Sequence, residues 1–433
     1  MKKYFMSVAA LAGMMSLAAC SSDDIVSPAD NDVQTIKIAV ASTGDKSTRS
    51  RDLNSEEPGQ NIESVAVVIR NKKTNEVVYH KIIANWNTDK VSSIYTDNGH
   101  GRECTLKLEG NDRLNAGEYT ITAVGYTAAD FKDNTNTIES ATMGKVVPGN
   151  FTAEVPDDKA AQEAFAGESS INLLENHAAI NTSVTLHRQV AGYYGYFTSI
   201  PVKVDNKEVT NVRLVARSKN MKLTYGNFNS SFTTTNSDIM YVVNGSEPAT
   251  TKDAKFKGSA DNDAYTLYNI KVADWFTKGD TNNDGILDEK DALTKDGKEA
   301  WINPLKSKGY ETYQKGTIFA GGFAVPFAAT DAATLELQLL DASGEILKSW
   351  TVAMATPQPA GQGVDGVALT VPETVQNFSF FRNHMYTLGK KMDNTDKPGT
   401  TTPDEPEPLD KSQSMILRVN DNWEVINRMT IGD

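Results

Sequence analysis

Apolar and polar residues alternate with a period of two along much of this chain, and few stretches carry the 3.6-residue period of a helix. Ile36-Lys-Ile38-Ala-Val40 is the first such run, after an irregular polar segment over 21–33. It gives way to a polar stretch over 42–58 that contains Thr48-Arg49-Ser50-Arg51. Val65-Ala-Val67-Val-Ile69 and Val77-Val-Tyr79 flank the turn former Asn71-Lys-Lys-Thr-Asn75-Glu, which predicts a hairpin. Strands are also predicted at Tyr119–Val124, behind the turn Asn115-Ala-Gly117, and at Val184-Thr-Leu186, Tyr193–Ile200 and Val209–Val215. Leu335-Glu-Leu337-Gln-Leu339 and Ile346–Val352, on either side of Asp341-Ala-Ser-Gly344, predict a second hairpin. The best helix candidate of the first half is short, Asp157–Phe165, rich in Ala and Glu. Short strands separated by turns argue for β-sandwich domains and against βαβ units. No repeat of 20–50 residues is present, and a boundary between two sandwiches is expected near 170–185.

The two ends differ in kind from the middle. Lys2 and Lys3 precede a mostly apolar run over 4–19, too short for a comfortable membrane span, which reads as an export signal. It closes on Leu17-Ala18-Ala19-Cys20, which resembles the lipobox of bacterial lipoproteins, where cleavage before the cysteine leaves a thiol that carries lipid. Near the other end, Pro398, Pro403, Pro406 and Pro408 lie among Thr, Asp and Glu. A linker of this composition over 394–410 is extended and semi-rigid, with a reach of about 45–50 Å. Apolar alternation resumes in Met415-Ile-Leu417-Arg-Val419 and in Trp423-Glu-Val425. Two strands alone are marginal in water, so this tail must pair with its own body or with another chain.

Composition narrows the function. At 433 residues the chain has room for two or three domains and needs no staples to build a core. Its net charge of −13 argues against nucleic acid and against an anionic membrane surface as partners. Cys20 and Cys104 are the two cysteines, which excludes a disulfide framework. Cys104, in the strand-like Cys104-Thr-Leu-Lys-Leu, is expected to be a small buried apolar residue. Nucleophile-elbow, zinc-protease, P-loop and dinucleotide glycine motifs are all absent, so an enzyme is not expected.

Three features together resemble the major fimbrial subunit family, the fimbrillin lipoprotein pilins of type V pili. They are the export unit with Cys20, a strand over 35–41 and the arginines at 49 and 51; Arg382-Asn383-His384-Met-Tyr386; and the Pro-rich linker followed by a strand and Trp423. A weaker match is Val184-Thr-Leu186-His-Arg188-Gln-Val190-Ala191. The resemblance implies a mainly β chain: a signal peptide over 1–20, a propeptide with the first strand over 21–51, and two transthyretin-like β-sandwich domains in tandem over 52–182 and 183–393. The linker over 394–410 and a donor-strand segment over 411–433 would complete it. It also implies a lipidated outer-membrane precursor, an Arg-specific protease that cuts after Arg49 or Arg51, and a fimbrium at the cell surface that supports adhesion. The partners would be other copies of the chain and related pilus subunits. Loss of the first strand leaves an unpaired edge and an apolar groove, which a neighbour's terminal strands fill. Met415, Leu417 and Val419 share one face at period two and are the expected inserted side chains, with Trp423 behind them. The alternative is a glycan-binding lipoprotein that stays monomeric and anchored through Cys20. The aromatic cluster Tyr193, Tyr194, Tyr196 and Phe197 could serve it by stacking on sugar rings, or could be a strand with one half-buried face.

One loop carries a separate chemistry. Asp280, Asn282, Asp284, Ile286, Asp288 and Asp291 stand at positions 1, 3, 5, 7, 9 and 12 of an EF-hand-type loop, with Gly285 at position six. Side-chain oxygens from five of them and the Ile286 carbonyl are the expected ligands of a structural Ca2+ that pins the insertion.

Overall fold

The computed structural model describes residues 33–40, 62–94, 102–127, 137–155, 161–216, 218–219, 222–225, 250–251, 265–305, 313–325, 335–354, 385–389, 404–411 and 415–420. Cys20, Arg49, Arg51 and Trp423 lie outside them. The described chain is mainly β, as the alternation predicts.

The first half supplies β1 (Gln34–Val40), β2 (Ser64–Asn71), β3 (Val77–Ala84), β4 (Ser93–Ile94), β5 (Arg102–Leu108), β6 (Gly117–Tyr126), a short β7 (Thr152–Glu154), β8 (Ala164–Leu173) and β9 (Ile180–Arg188). Eight of these make one sheet in the order β3-β2-β6-β8-β9-β1-β5-β4. The sheet folds over on itself. Val65, Val67 and Ile69 of β2 and Ile121 of β6 share a core with Ile36 and Ile38 of β1, Leu106 of β5 and Val184 of β9. The expected first hairpin is β2–β3; at its turn Asn75 is left-handed, and the Asn71 carboxamide accepts from the N–H groups of Lys73 and Thr74.

The second half contributes β10 (Ala191–Thr198), the short β11 (Ile200–Pro201), β12 (Lys203–Val204) and β13 (Lys207–Glu208), then β14 (Asn211–Ala216). The short β15 (Ser218–Lys219), β16 (Lys222–Thr224) and β17 (Thr250–Thr251) precede β18 (Tyr265–Lys271) and β19 (Ile286–Leu287). The chain closes with β20 (Ile318–Ala324), β21 (Leu335–Leu340), β22 (Ile346–Met354), β23 (Met385–Leu388), β24 (Glu407–Pro408) and β25 (Met415–Asn420). The second sheet runs β18-β14-β21-β22-β25-β23-β10-β20, with β24 on β10.

Three expectations change. Asp157–Phe165 is not a helix: residues 156–160 lie outside the described set, and Ala164 and Phe165 already belong to β8. Phe165 is fully buried and pairs with Arg188, so tertiary packing overrides the local Ala and Glu content. The expected boundary at 182/183 falls inside β9, and the chain passes from one sheet to the other between Arg188 and Ala191. There the fully buried Arg188 donates through Nε and Nη2 to Glu163 Oε1, at 2.9 and 2.7 Å, and lies over the Phe165 ring. The outward face of β2, with Ala66 and Val68, continues into the same apolar cluster as Val190 and Tyr194, so β2 is buried on both faces.

The third change concerns the linker. Asp404 to Lys411 is not a free tether: Glu407 and Pro408 pair with Phe197 and Thr198, Leu409 is fully buried, and the Tyr196 hydroxyl donates to Asp404 at 2.9 Å. Proline suits this strip, because an added edge strand can spare donors on its outer side.

Candidate functional site

β1 is seven residues long, Gln-Thr-Ile-Lys-Ile-Ala-Val, and its alternation places Gln34, Ile36 and Ile38 in the interior at 0% exposure. Lys37 lies toward solvent and pairs with Glu103 at 2.8 Å. On one side β1 runs parallel to β9, from Gln34 opposite Ile180 to Val40 opposite Leu186. On the other it runs antiparallel to β5, from Gln34 opposite Leu108 to Ala39 opposite Glu103. A strand so near the start of the chain is therefore internal to a sheet, and among the described residues β5 and β4 join that sheet only through it.

Gln34 fixes the register. Its Nε2 donates to the carbonyls of Leu114 at 3.1 Å and Ala178 at 2.8 Å, and its Oε1 accepts from the Leu114 N–H at 2.7 Å. The side chain thus ties β1 to the loop before β6 and the loop before β9. The Thr35 hydroxyl adds a bond to the Ile180 carbonyl at 3.1 Å. Sequence reasoning missed Gln34, because a polar residue at the head of an apolar run reads as a strand end; the signal was its place in the same period as Ile36 and Ile38.

The terminal strand β25 lies inside the chain's own second sheet. It runs parallel to β22, with Val352, Ala353 and Met354 opposite Met415, Ile416 and Leu417. It runs antiparallel to β23, with Met385, Tyr386 and Thr387 opposite Asn420, Val419 and Arg418. Met415 is buried. Of the motif over 382–386, Met385 and Tyr386 are the described residues, both fully buried in β23. Both β1 and β25 thus occupy slots with one parallel and one antiparallel neighbour.

The remaining candidates fall elsewhere. Tyr193, Tyr194, Tyr196 and Phe197 are buried on both faces of β10, among Tyr268, Tyr313 and Phe319. Gly195 permits this, since a Cβ there would stand 2.2 Å from the Tyr268 hydroxyl. No ring of the four faces solvent, which removes the sugar-stacking surface on which the monomeric glycan-binding alternative drew.

The acidic loop folds around its own backbone. Asp280 accepts from the N–H groups of Asn283 and Gly285, and the buried Asp291 accepts from those of Thr281, Asn282 and Asp288. The Lys290 ammonium lies 3.0 Å from Asp284 and 3.6 Å from Asp288, and holds the Asp284 carboxyl below its ordinary range. Among the described residues, no three His, Cys, Asp or Glu side chains are gathered to hold a metal ion. Cys104 is half-buried on β5 opposite Ile38; burial, more than the opposing pulls of Lys81 and Glu103, pushes its thiol up to about 11. Such a thiol is a weak nucleophile at neutral pH.

No family model matches the chain, and no curated protein matches it. Solved structures do. A fimbrial assembly protein from Parabacteroides distasonis is similar over 83% of this chain and 92% of its own, at 13% identity and a TM-score of 0.36. The tip fimbrial protein Mfa3 from Porphyromonas gingivalis, with a C-terminal truncation, is similar over 84% of this chain and 96% of its own, at 10% identity and a TM-score of 0.35.

Proposed function

We propose that this chain is a structural subunit of a cell-surface pilus that supports adhesion. It is exported as an outer-membrane lipoprotein through Cys20, cut after Arg49 or Arg51 by an Arg-specific protease, and polymerised with copies of itself and related subunits by exchange of terminal strands. The observation that carries the reading is the place of β1: an internal strand joined to the body through the segment that contains both arginines. One cut would free it. Its departure would leave the N–H and C=O groups of β9 and β5 unpaired over an apolar floor, which is the condition for strand addition. Donor and acceptor are different surfaces of one chain, so the contact is head to tail and extends without closing.

The test uses the precursor from residue 21 onward. Limited trypsin treatment should convert monomer into a ladder on gels run without boiling, and Arg49→Gln with Arg51→Gln and Lys46→Gln, which removes the third tryptic site of the same segment, should prevent it. Cut protein that stays monomeric at high concentration would refute the reading.

A structural Ca2+ in the loop over 280–291 is a second proposal, supported by ligand spacing alone. Because Lys290 stands between Asp284 and Asp288, a cation must displace it. About 10 mM calcium should raise the melting temperature by about 2–5 °C, on the scale of extracellular calcium modules. Lys290→Ala should enlarge that rise and Asp280→Ala should erase it. If calcium has no effect on either chain and Lys290→Ala only lowers the melting temperature, the lysine itself is the loop's counter-ion.

A further inference from the structure

The tail repeats the residue pattern of the strand it would replace. β1 reads Gln34-Thr35-Ile36-Lys37-Ile38-Ala39-Val40, and the tail reads Gln413-Ser414-Met415-Ile416-Leu417-Arg418-Val419. Both place an amide, then three apolar residues at period two, and both follow the amide with a hydroxyl. Gln413 and Ser414 lie outside the described residues.

We infer that residues 413–419 of one copy of this chain enter the slot of β1 in another, with Gln413 in the place of Gln34 as the register lock. The inference rests on the strand-exchange reading above and names its donor segment, direction and register.

The interior positions of the slot accept the segment. Removal of β1 takes the acceptor from the buried Leu114 N–H and the side-chain donor from the Leu114 and Ala178 carbonyls. Buried backbone groups left without partners are costly, and a glutamine carboxamide supplies both kinds of bond at once. Ser414 presents a hydroxyl where Thr35 donates to the Ile180 carbonyl. Met415 and Leu417 take the interior positions of Ile36 and Ile38, opposite Leu106 and Cys104. Arg418 takes the position of Ala39, directly opposite Glu103, and so restores a cation to the carboxylate that loses Lys37. The direction follows from the order of the pattern, since the amide precedes the apolar residues in both segments.

Other registers fail on the same residues. A shift of one residue turns the apolar set outward. A shift of two brings Met415 or Lys411 to the Leu114 and Ala178 groups, and neither side chain both donates and accepts there. The tail has one other amide with two apolar residues at this spacing, Asn427-Arg-Met429-Thr-Ile431, but Arg428 replaces the hydroxyl and Asp433 falls where Val40 sits.

Cys104 makes the register readable. It is the one cysteine of the chain from residue 21 onward, and it stands opposite Ile38 across an antiparallel pair. Residues so opposed are within disulfide reach. In the trypsin-cut chain, Leu417→Cys oxidised with copper phenanthroline should give a covalent ladder on denaturing gels that reductant collapses. Met415→Cys and Val419→Cys, which report slips of two residues, and Ile431→Cys, which reports the other segment, should give none. Gln413→Leu should lower the half-life of unboiled ladders about tenfold or more. Cross-linking through residue 415, 419 or 431 instead would overturn the register while strand exchange stands. So would Gln413→Leu ladders as long-lived as wild type. Absence of any ladder, covalent or unboiled, would remove strand exchange and this inference with it.

Discussion

Removal of β1 from an isolated subunit should melt the far edge of the first sheet, leaving more than an open groove. Among the described residues, β5 is hydrogen-bonded to β1 and β4 alone, and β4 contributes two paired residues, Ser93 and Ile94. Without β1, these two strands form an isolated ribbon, which is marginal in water. Burial of Ile36 and Ile38 is worth about 1.5–3 kcal/mol each, and the groups that Gln34 satisfies add about 1–3 kcal/mol apiece. The sum is of the order of a whole domain's margin of about 5–15 kcal/mol. Hydrogen exchange tests this on trypsin-cut protein stripped of the released strand in mild denaturant and returned to dilute buffer. Amides of 102–108 should exchange at nearly unfolded rates, while those of β6, held between β2 and β8, stay protected. A peptide spanning 411–422 should restore protection to 102–108. Full protection there with no strand added would mean that β1 is not what holds β5.

Such an acceptor differs from a rigid trough. Its parallel wall, β9, is fastened to β8 through Phe165 and Ala166 and continues into the buried Arg188, so it stays put. The antiparallel wall closes only when a strand arrives. Assembly would then couple binding to the ordering of β4 and β5, which costs affinity but makes the subunit fit its donor closely.

What could be read from the sequence follows from what alternation reports. Period-two runs at Ile36–Val40, Val65–Ile69 and Leu335–Leu339 became β1, β2 and β21, because each buries at least one face. Alternation says nothing about neighbours, so the parallel pairing of β1 with β9, across more than a hundred residues, was out of reach. It also misleads where both faces are covered: Tyr193 to Phe197 looked half-buried, yet β23 and β20 flank the strand and the core lies on both sides of it. Prolines at 406 and 408 announced extended chain correctly but not its docking on β10, since an edge strand and a tether have the same local chemistry. Gln34 was hidden for a similar reason. Its three bonds reach residues 80 and 144 positions away. The ligand spacing of 280–291 was plain, whereas the interposed Lys290 ammonium depends on a side-chain direction that spacing cannot give.

The place of β25 also changes how the tail must be tested. Deleting 411–433 would remove the strand between β22 and β23 and divide the second sheet into β18-β14-β21-β22 and β23-β10-β20. Loss of assembly in that variant would not separate a missing donor from a broken body. A reversible lock separates them. Thr387 and Arg418 are directly opposed across the antiparallel pair of β23 and β25, which puts their Cα atoms within disulfide range. In a Cys104→Ser background, Thr387→Cys with Arg418→Cys should staple the tail into its own sheet on oxidation. If the tail is the donor, it must leave that sheet first. The oxidised, trypsin-cut chain should then give no ladder at any concentration, and reductant should restore ladders in the same tube. That is an all-or-none effect with no change in covalent composition beyond one bond. The reduced protein also controls for the loss of Arg418. If oxidised and reduced chains polymerise alike, β25 is a permanent strand of its own sheet, and the filament is joined by another part of the molecule.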